Sequence, residues 1–162
     1  MTIKFPISIK GFEKLQQEIK TLKHEDRPRV IQEIATARDY GDLSENAEYH
    51  AAREKQSFIE GRILELEDKV ARADVIDIAK LSGDNIKFGA IVELLDDETE
   101  EKVIYHIIGE YEADITKKRI SIVSPLARAL IGKTIGDIVE VSTPKGYKSY
   151  EVIAVNYQEF NY

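Results

Sequence analysis

The chain has 162 residues, 43% of them hydrophobic and 33% charged, with a net charge of −7 and no cysteine. That length suits one ordinary domain or two small ones, and the composition is that of a folded chain rather than a disordered one. Without cysteine there are no disulfides and no thiolate zinc sites, and His24, His50 and His106 are too widely spaced to form a local metal-ligand motif.

Residues 1–75 hold 13 basic and 15 acidic side chains, net −2; residues 76–162 hold 10 and 15, net −5. Neither half has the clustered excess of Lys and Arg that a free-standing nucleic-acid binder needs to neutralise phosphates. No apolar run approaches membrane-spanning length, and residues 1–10 lack the apolar core and cleavage pattern of a signal peptide. A cytoplasmic protein without membrane contact is the default expectation.

In chain order, Phe12, Leu15, Ile19 and Leu22 recur at steps of 3, 4 and 3, the seam of a helical hairpin or coiled coil, with Ser8 placed to cap it. Pro28 lacks a backbone donor and clashes with the preceding turn of a helix, so the spacing predicts a kink or short break there, with Asp26 as a possible cap. Apolar residues resume at Val30, Ile31, Ile34 and Ala37. Gly41 can supply the backbone conformation that ends this arm. A second helix is expected over about residues 43–73. Ile59, Ile63, Leu66, Val70 and Ala73 form its seam, and Ala47, Ala51 and Ala52 are small enough for close helix approach. The short connection between the arms makes them antiparallel. About 30 residues per arm gives a rod of roughly 45 Å at 1.5 Å per residue, its turn far from the rest of the chain.

Helical spacing gives way to strand character around residues 75–83. Runs at 90–94, 103–108, 120–123, 138–141 and 150–155 read as strands, and a turn with Pro144-Lys145-Gly146 joins the last two. One short helix interrupts them, with Ser124 as cap, Pro125 at its first position and Gly132 as its stop. The architecture predicted is α+β in two domains: residues 1–76 form an antiparallel coiled-coil hairpin with its tip at 39–46, and residues 77–162 form a small antiparallel sheet with one short helix.

The tip carries the chemistry. Asp42 and Glu45 are three apart and would share one face at the start of a helix. Two neighbouring carboxylates can hold Mg²⁺, which takes one or two protein carboxylates and keeps its other positions for water or phosphate. The same spacing is a capping box, and acidic residues suit any first helical turn, so spacing alone favours the cap. Arg38 and Arg53 could reach phosphate oxygens, or be ordinary solvated arginines. Tyr40 and Tyr49 could stack on bases, although packing across the hairpin is the simpler role for Tyr49. Arg38, Asn46, Tyr49 and Arg53 are candidates for supporting the tip or contacting a nucleic acid that it meets.

The run Ala37-Arg38-Asp39-Tyr40-Gly41-Asp42-Leu43-Ser44-Glu45-Asn46-Ala47-Glu48-Tyr49-His50-Ala51-Ala52-Arg53-Glu54-Lys55-Gln56 resembles the signature of the GreA/GreB transcript cleavage factors. Ser124-Pro125-Leu126-Ala127-Arg128-Ala129-Leu130-Ile131-Gly132-Lys133 resembles the short-helix motif of their C-terminal domain, and Glu112-Ala113-Asp114 and Thr143-Pro144-Lys145-Gly146 also fit. The resemblance extends over essentially the whole chain. It implies a C-terminal domain with an FKBP-like fold and a partner, bacterial RNA polymerase. The sheet domain would dock at the rim of the polymerase secondary channel through Asp114, Ser124 and Pro125, and the hairpin would enter the channel.

By the same resemblance, Asp42 and Glu45 are the catalytic pair. They would hold a second Mg²⁺ jointly with the polymerase and position water against the nascent RNA 3′ end of a backtracked complex. The chain would be an accessory factor rather than an enzyme alone, a monomer when free. The hairpin's lack of a basic run points to the GreA side of the family and to short RNA fragments. Two rival readings are a non-cleaving regulator that binds the same channel, which the intact Asp42 and Glu45 disfavour, and a peptidyl-prolyl isomerase, which would need an apolar aromatic-lined pocket.

Overall fold

The computed structural model describes residues 3–42 and 45–159. The chain divides into two units. One comprises residues 12–73; the other combines residues 3–11 with residues 74–159. The first strand, β1 (Phe5–Ser8), thus belongs with the second half of the chain, and pairs with β2 (Ala73–Ile76) in a two-stranded sheet. Neither strand is legible in the sequence, because each is four residues long and finds its partner across the whole hairpin.

The hairpin unit is built from α1 (Ile9–Thr21), a π-helical turn over Leu22–Asp26, α2 (Arg27–Arg38) and α3 (Ala47–Arg72). Of the kink or short break expected near Pro28, the structure has no break; the α-helix is interrupted by the π-turn just before it. The chain stays helical through Asp26 and Arg27, and the Arg27 N–H donates to the Leu22 carbonyl, five residues back. The widened turn absorbs one extra residue and lets proline, which has no N–H to give, sit at the start of the next helical segment. Asp26 makes no capping bond; it lies 3.7 Å from the Arg29 guanidinium.

Leu15, Leu22, Val30, Ile34 and Ala37 are buried along the first arm, and Ala52, Ile59, Ile63 and Leu66 along the second. Val30 and Leu66 are fully enclosed, and burial of such a side chain contributes about 1.5–3 kcal/mol. Ile31, by contrast, is half exposed, because it is one residue out of the seam. Arg27–Glu60, Lys23–Glu67, Arg62–Glu18 and Lys55–Glu33 ion pairs bridge the arms. They are solvent-accessible, so they set the register of the arms more than their stability. The 26 residues of α3 span about 39 Å.

The other unit is a five-stranded sheet in the order β5-β4-β3-β7-β6. Its strands are β3 (Ala90–Asp96), β4 (Lys102–Ile108), β5 (Arg119–Ser121), β6 (Ile138–Thr143) and β7 (Gly146–Tyr157). All five expected strands are present. The sheet is mixed, not antiparallel throughout: β5 runs parallel to β4, with Ile107 opposite Ile120. Residues 109–118 carry the chain back so that β5 re-enters in the same direction, through a turn closed by the left-handed Lys118. Alternate residues Ala90, Val92 and Leu94 of β3 are buried and pack with Ile107, Val139, Val141 and Val152. The short helix α4 (Pro125–Leu130) covers them with Ala127 and Leu130. Ser124 caps α4 as expected, its Oγ accepting from the Ala127 N–H at 3.3 Å, and Gly132 follows with φ of +86°.

Two buried polar groups fasten this unit. The Glu112 carboxylate accepts from the Ser8 N–H (3.2 Å), the Gly109 N–H (3.1 Å) and the Ser8 hydroxyl, joining β1 to the loop after β4. Ser8 in turn caps α1 by accepting from the Gly11 N–H at 3.0 Å. Glycine is required at two positions around it. A Cβ on Gly109 would lie 2.6 Å from the Pro6 carbonyl oxygen, and one on Gly11 would overlap the Glu112 carboxylate.

His106 is buried on β4, its Nε2–H donating to the Gly89 carbonyl at 3.0 Å. Burial pushes its pKa below the ordinary imidazole value, with Arg119 acting in the same direction against the Gly89 bond. A depressed folded-state pKa means the unfolded chain binds the proton more readily. The stability from neutral His106 is therefore complete above the unfolded pKa of about 6.5 and is lost as pH falls below it. Urea midpoints should drop between pH 7.5 and 5.5, and drop less in His106→Gln, which keeps a donor for Gly89. Parallel pH profiles for the two proteins would remove His106 as the source.

Candidate functional site

The tip begins where α2 runs out. Asp39 N–H donates to the Thr36 carbonyl, Tyr40 N–H to Ala37 and Gly41 N–H to Arg38, at 3.2–3.3 Å, winding the last turn closed. Gly41 has φ of +108°, a backbone conformation suited to glycine, and turns the chain away from the helix axis as expected. Asp42 follows, exposed. The helix start expected near Leu43 falls on Leu43 and Ser44, which lie outside the described residues, as do Phe160–Tyr162 of the C-terminal segment.

The cap of α3 is Asn46, not Asp42. Asn46 is extended (φ −86°, ψ 97°), and its Oδ1 accepts from the Tyr49 N–H at 3.0 Å. Helix α3 starts at Ala47, so Asp42 and Glu45 stand in the turn ahead of it and do not share a helical face. The capping-box reading of this pair is thereby replaced, and with it the simplest structural reason for two acidic residues here. Both are exposed, and both line one open depression together with Tyr40, Asn46, Ala47 and Glu48. Glu48, in the first turn of α3, is a third carboxylate on this rim. Its three-residue step from Glu45 was the signal that could have marked it.

Arg38 ends α2, and its guanidinium carbon is 5.9 Å from the centre of the Tyr49 ring. Tyr49 also meets His50 edge to face at 5.6 Å. Tyr49 therefore packs across the hairpin, the simpler of its two expected roles, while Tyr40 is 74% exposed and open to a stacking partner. Arg53 is exposed one turn further along α3.

As to a metal, no group of three His, Asp or Glu side chains gathers to hold one among the described residues. The hard oxygen donors of Asp42 and Glu45 suit Mg²⁺, which accepts as few as one or two protein carboxylates when other ligands come from elsewhere.

Residues 5–75 match the N-terminal family model described as "Transcription elongation factor, N-terminal", and residues 81–157 match "Transcription elongation factor, GreA/GreB, C-term". The chain belongs to the GreA/GreB family. It is 68% identical to transcription elongation factor GreA of Rickettsia prowazekii over 161 residues, covering 99% of each chain. It is 60% identical to transcription elongation factor GreA of Methylobacterium nodulans over 154 residues, covering 95% of this chain and 98% of the relative. Among solved structures, the GreA factor homolog Gfh1 of Thermus thermophilus is 28% identical, with 94% of this chain and 99% of that one covered and a TM-score of 0.43.

The first family match spans the helical hairpin and the second spans the five-stranded sheet. In the sheet unit, the three residues that the family resemblance singles out flank β5, one of the sheet's two edge strands. Asp114 lies before it, forming a bridge with Arg119, and accepts through Oδ1 from the Thr116 hydroxyl (2.6 Å) and N–H (3.1 Å). The Thr116 hydroxyl, foremost, holds its carboxyl below the usual carboxylate range, so Asp114 is ionised at neutral pH. Ser124 and Pro125 lie just after β5, with Ser124 half-buried in its capping role and Pro125 exposed. Asp114 and Ser124 thus have structural tasks of their own at this edge. No helix among the described residues is long and apolar enough to cross a membrane.

Proposed function

We propose that this chain rescues backtracked transcription complexes by lending Asp42 and Glu45 to the active site of bacterial RNA polymerase. The observation that carries the proposal is the pair of exposed carboxylates on the rim of one depression at a hairpin turn. They stand outside the helix they would otherwise cap, in a member of the GreA/GreB family. Two carboxylates on a rod are half of a hydrolytic site. The polymerase would supply the other half, in the cytoplasm where both work, and the chain would act as an accessory factor, a monomer when free.

Asp42 and Glu45 would together hold the second Mg²⁺ of that site. When bound, such an ion stabilises charge on the scissile phosphate and lowers the pKa of bound water. One of the two carboxylates orients the attacking water and accepts its proton. Water oxygen bonds to phosphorus and the RNA 3′ oxygen upstream of the cut leaves, taking a proton, so a new 3′ hydroxyl lies in register. Arg38 and Arg53 would meet phosphate oxygens of the extruded RNA, and Tyr40 offers a face for a base. The β5 edge, with Asp114, Ser124 and Pro125, would seat the sheet unit at the channel rim.

The test is a stalled, backtracked elongation complex in Mg²⁺. Adding this protein should release short 3′ RNA fragments, a few nucleotides long, and restore elongation from the new end. A protein that binds polymerase and slows synthesis without releasing RNA would instead be a non-cleaving regulator.

A further inference from the structure

We infer that Asn46 is the positioning residue of the tip: its carboxamide straps the end of α2 to the start of α3 and so holds the turn that presents Asp42 and Glu45. This deepens the proposed function and rests on it for its catalytic consequence. Asn46 Nδ2 donates to the Ala37 carbonyl at 2.7 Å, while its Oδ1 accepts from the Tyr49 N–H at 3.0 Å. The two bonds fix which end of the amide is oxygen and which is nitrogen, since a carbonyl needs a donor and an N–H needs an acceptor. The first bond joins Asn46 to Ala37, and Asp42 and Glu45 fall between those two residues in the chain.

Neither carboxylate lies within a helix, so the turn between α2 and α3 places them. Glu45 immediately precedes the cap residue and Asp42 immediately follows the left-handed Gly41. Side chains that share a metal or a water must be held within about 0.5 Å of a productive arrangement, and a displacement of 1 Å costs on the order of 100-fold in rate. Residue 46 must donate backwards, to Ala37, and accept forwards, from Tyr49, at once. Aspartate retains the cap but has no hydrogen to give Ala37.

Asn46→Asp therefore separates the two bonds. Asparagine and aspartate are equivalent helix caps, so the variant keeps the cap of α3 and its thermal midpoint by circular dichroism should fall by only a few degrees, about the loss of one hydrogen bond. Three further readouts should change, all taken well below each midpoint. Stimulated RNA cleavage should fall about 10- to 100-fold. The Mg²⁺ concentration for half-maximal cleavage should rise, with competition for polymerase binding unchanged. In the free protein, the NMR order parameters of the Gly41, Asp42 and Glu45 amides should fall from the rigid range, about 0.85, towards the flexible one.

Wild-type order parameters in Asn46→Asp would overturn the strap, whatever the assay shows. Lowered order parameters with wild-type cleavage and Mg²⁺ dependence would overturn its catalytic role. Failure of the wild-type protein itself to release RNA would instead defeat the proposed function, and with it that catalytic role, while the order parameters still decide the strap.

Discussion

Asp42→Asn and Glu45→Gln should each lower stimulated cleavage by 10² to 10⁴-fold, the usual contribution of a positioned acid–base or metal-holding carboxylate. The amides keep the shape of the side chains and remove the charge. Because Asn46 caps α3, neither change removes that cap bond, and Glu45→Gln should alter hairpin stability by less than about 0.5 kcal/mol. A true capping pair would have cost about 1 kcal/mol. Competition for polymerase should survive, since docking is assigned to the β5 edge of the sheet unit. The double variant should be little worse than the poorer single one, because groups acting as a unit lose their whole effect when either is missing. Stability losses of 1 kcal/mol or more with undiminished cleavage would return the pair to a structural role.

Glu112→Ala should cost the sheet unit about 2–5 kcal/mol. Glu112 is only 4% exposed, and its truncation leaves the Ser8 and Gly109 N–H groups and the Ser8 hydroxyl without their acceptor. Each unsatisfied buried donor costs about 1–3 kcal/mol, and relaxation or entering water recovers part of it. Neighbouring Glu110 is exposed, so Glu110→Ala should stay within about 0.5 kcal/mol of the parent. Urea unfolding followed by tyrosine fluorescence reports mainly on this unit, which includes Tyr105, Tyr111, Tyr147, Tyr150 and Tyr157, against Tyr40 and Tyr49 in the hairpin. Equal midpoints for the two alanine variants would show that the buried carboxylate is dispensable.

Periodicity made most of the elements legible. Steps of 3 and 4 marked both arms of the hairpin, because a helix returns a side chain to the same face at that interval. Short runs rich in β-branched and aromatic residues marked the five strands of the larger sheet. Pro28 marked a place where the regular α-helix is interrupted, but the form of the interruption, a π-turn over Leu22–Asp26 rather than a break, was not legible. The parallel placement of β5 was not visible, since a strand of three residues carries no sign of which direction it will face. The acidic pair was visible as residues and ambiguous as chemistry. Its ambiguity lay in where the helix begins, and element boundaries are set by a few hydrogen bonds that composition hardly constrains.

By itself, then, the sequence determined the hairpin, the strands, the glycine turn at the tip and the identity of its two carboxylates, all of which depend on neighbours within a few residues. Only the tertiary structure decided that Asn46 takes the cap and bridges to Ala37 nine residues back, leaving Asp42 and Glu45 outside the helix. It also decided that Glu112 meets Ser8 across 104 residues, and that the first strand belongs with the sheet unit rather than with the hairpin it precedes. Hydrogen bonds of that kind join groups brought together by folding, and no local pattern of residue types announces them.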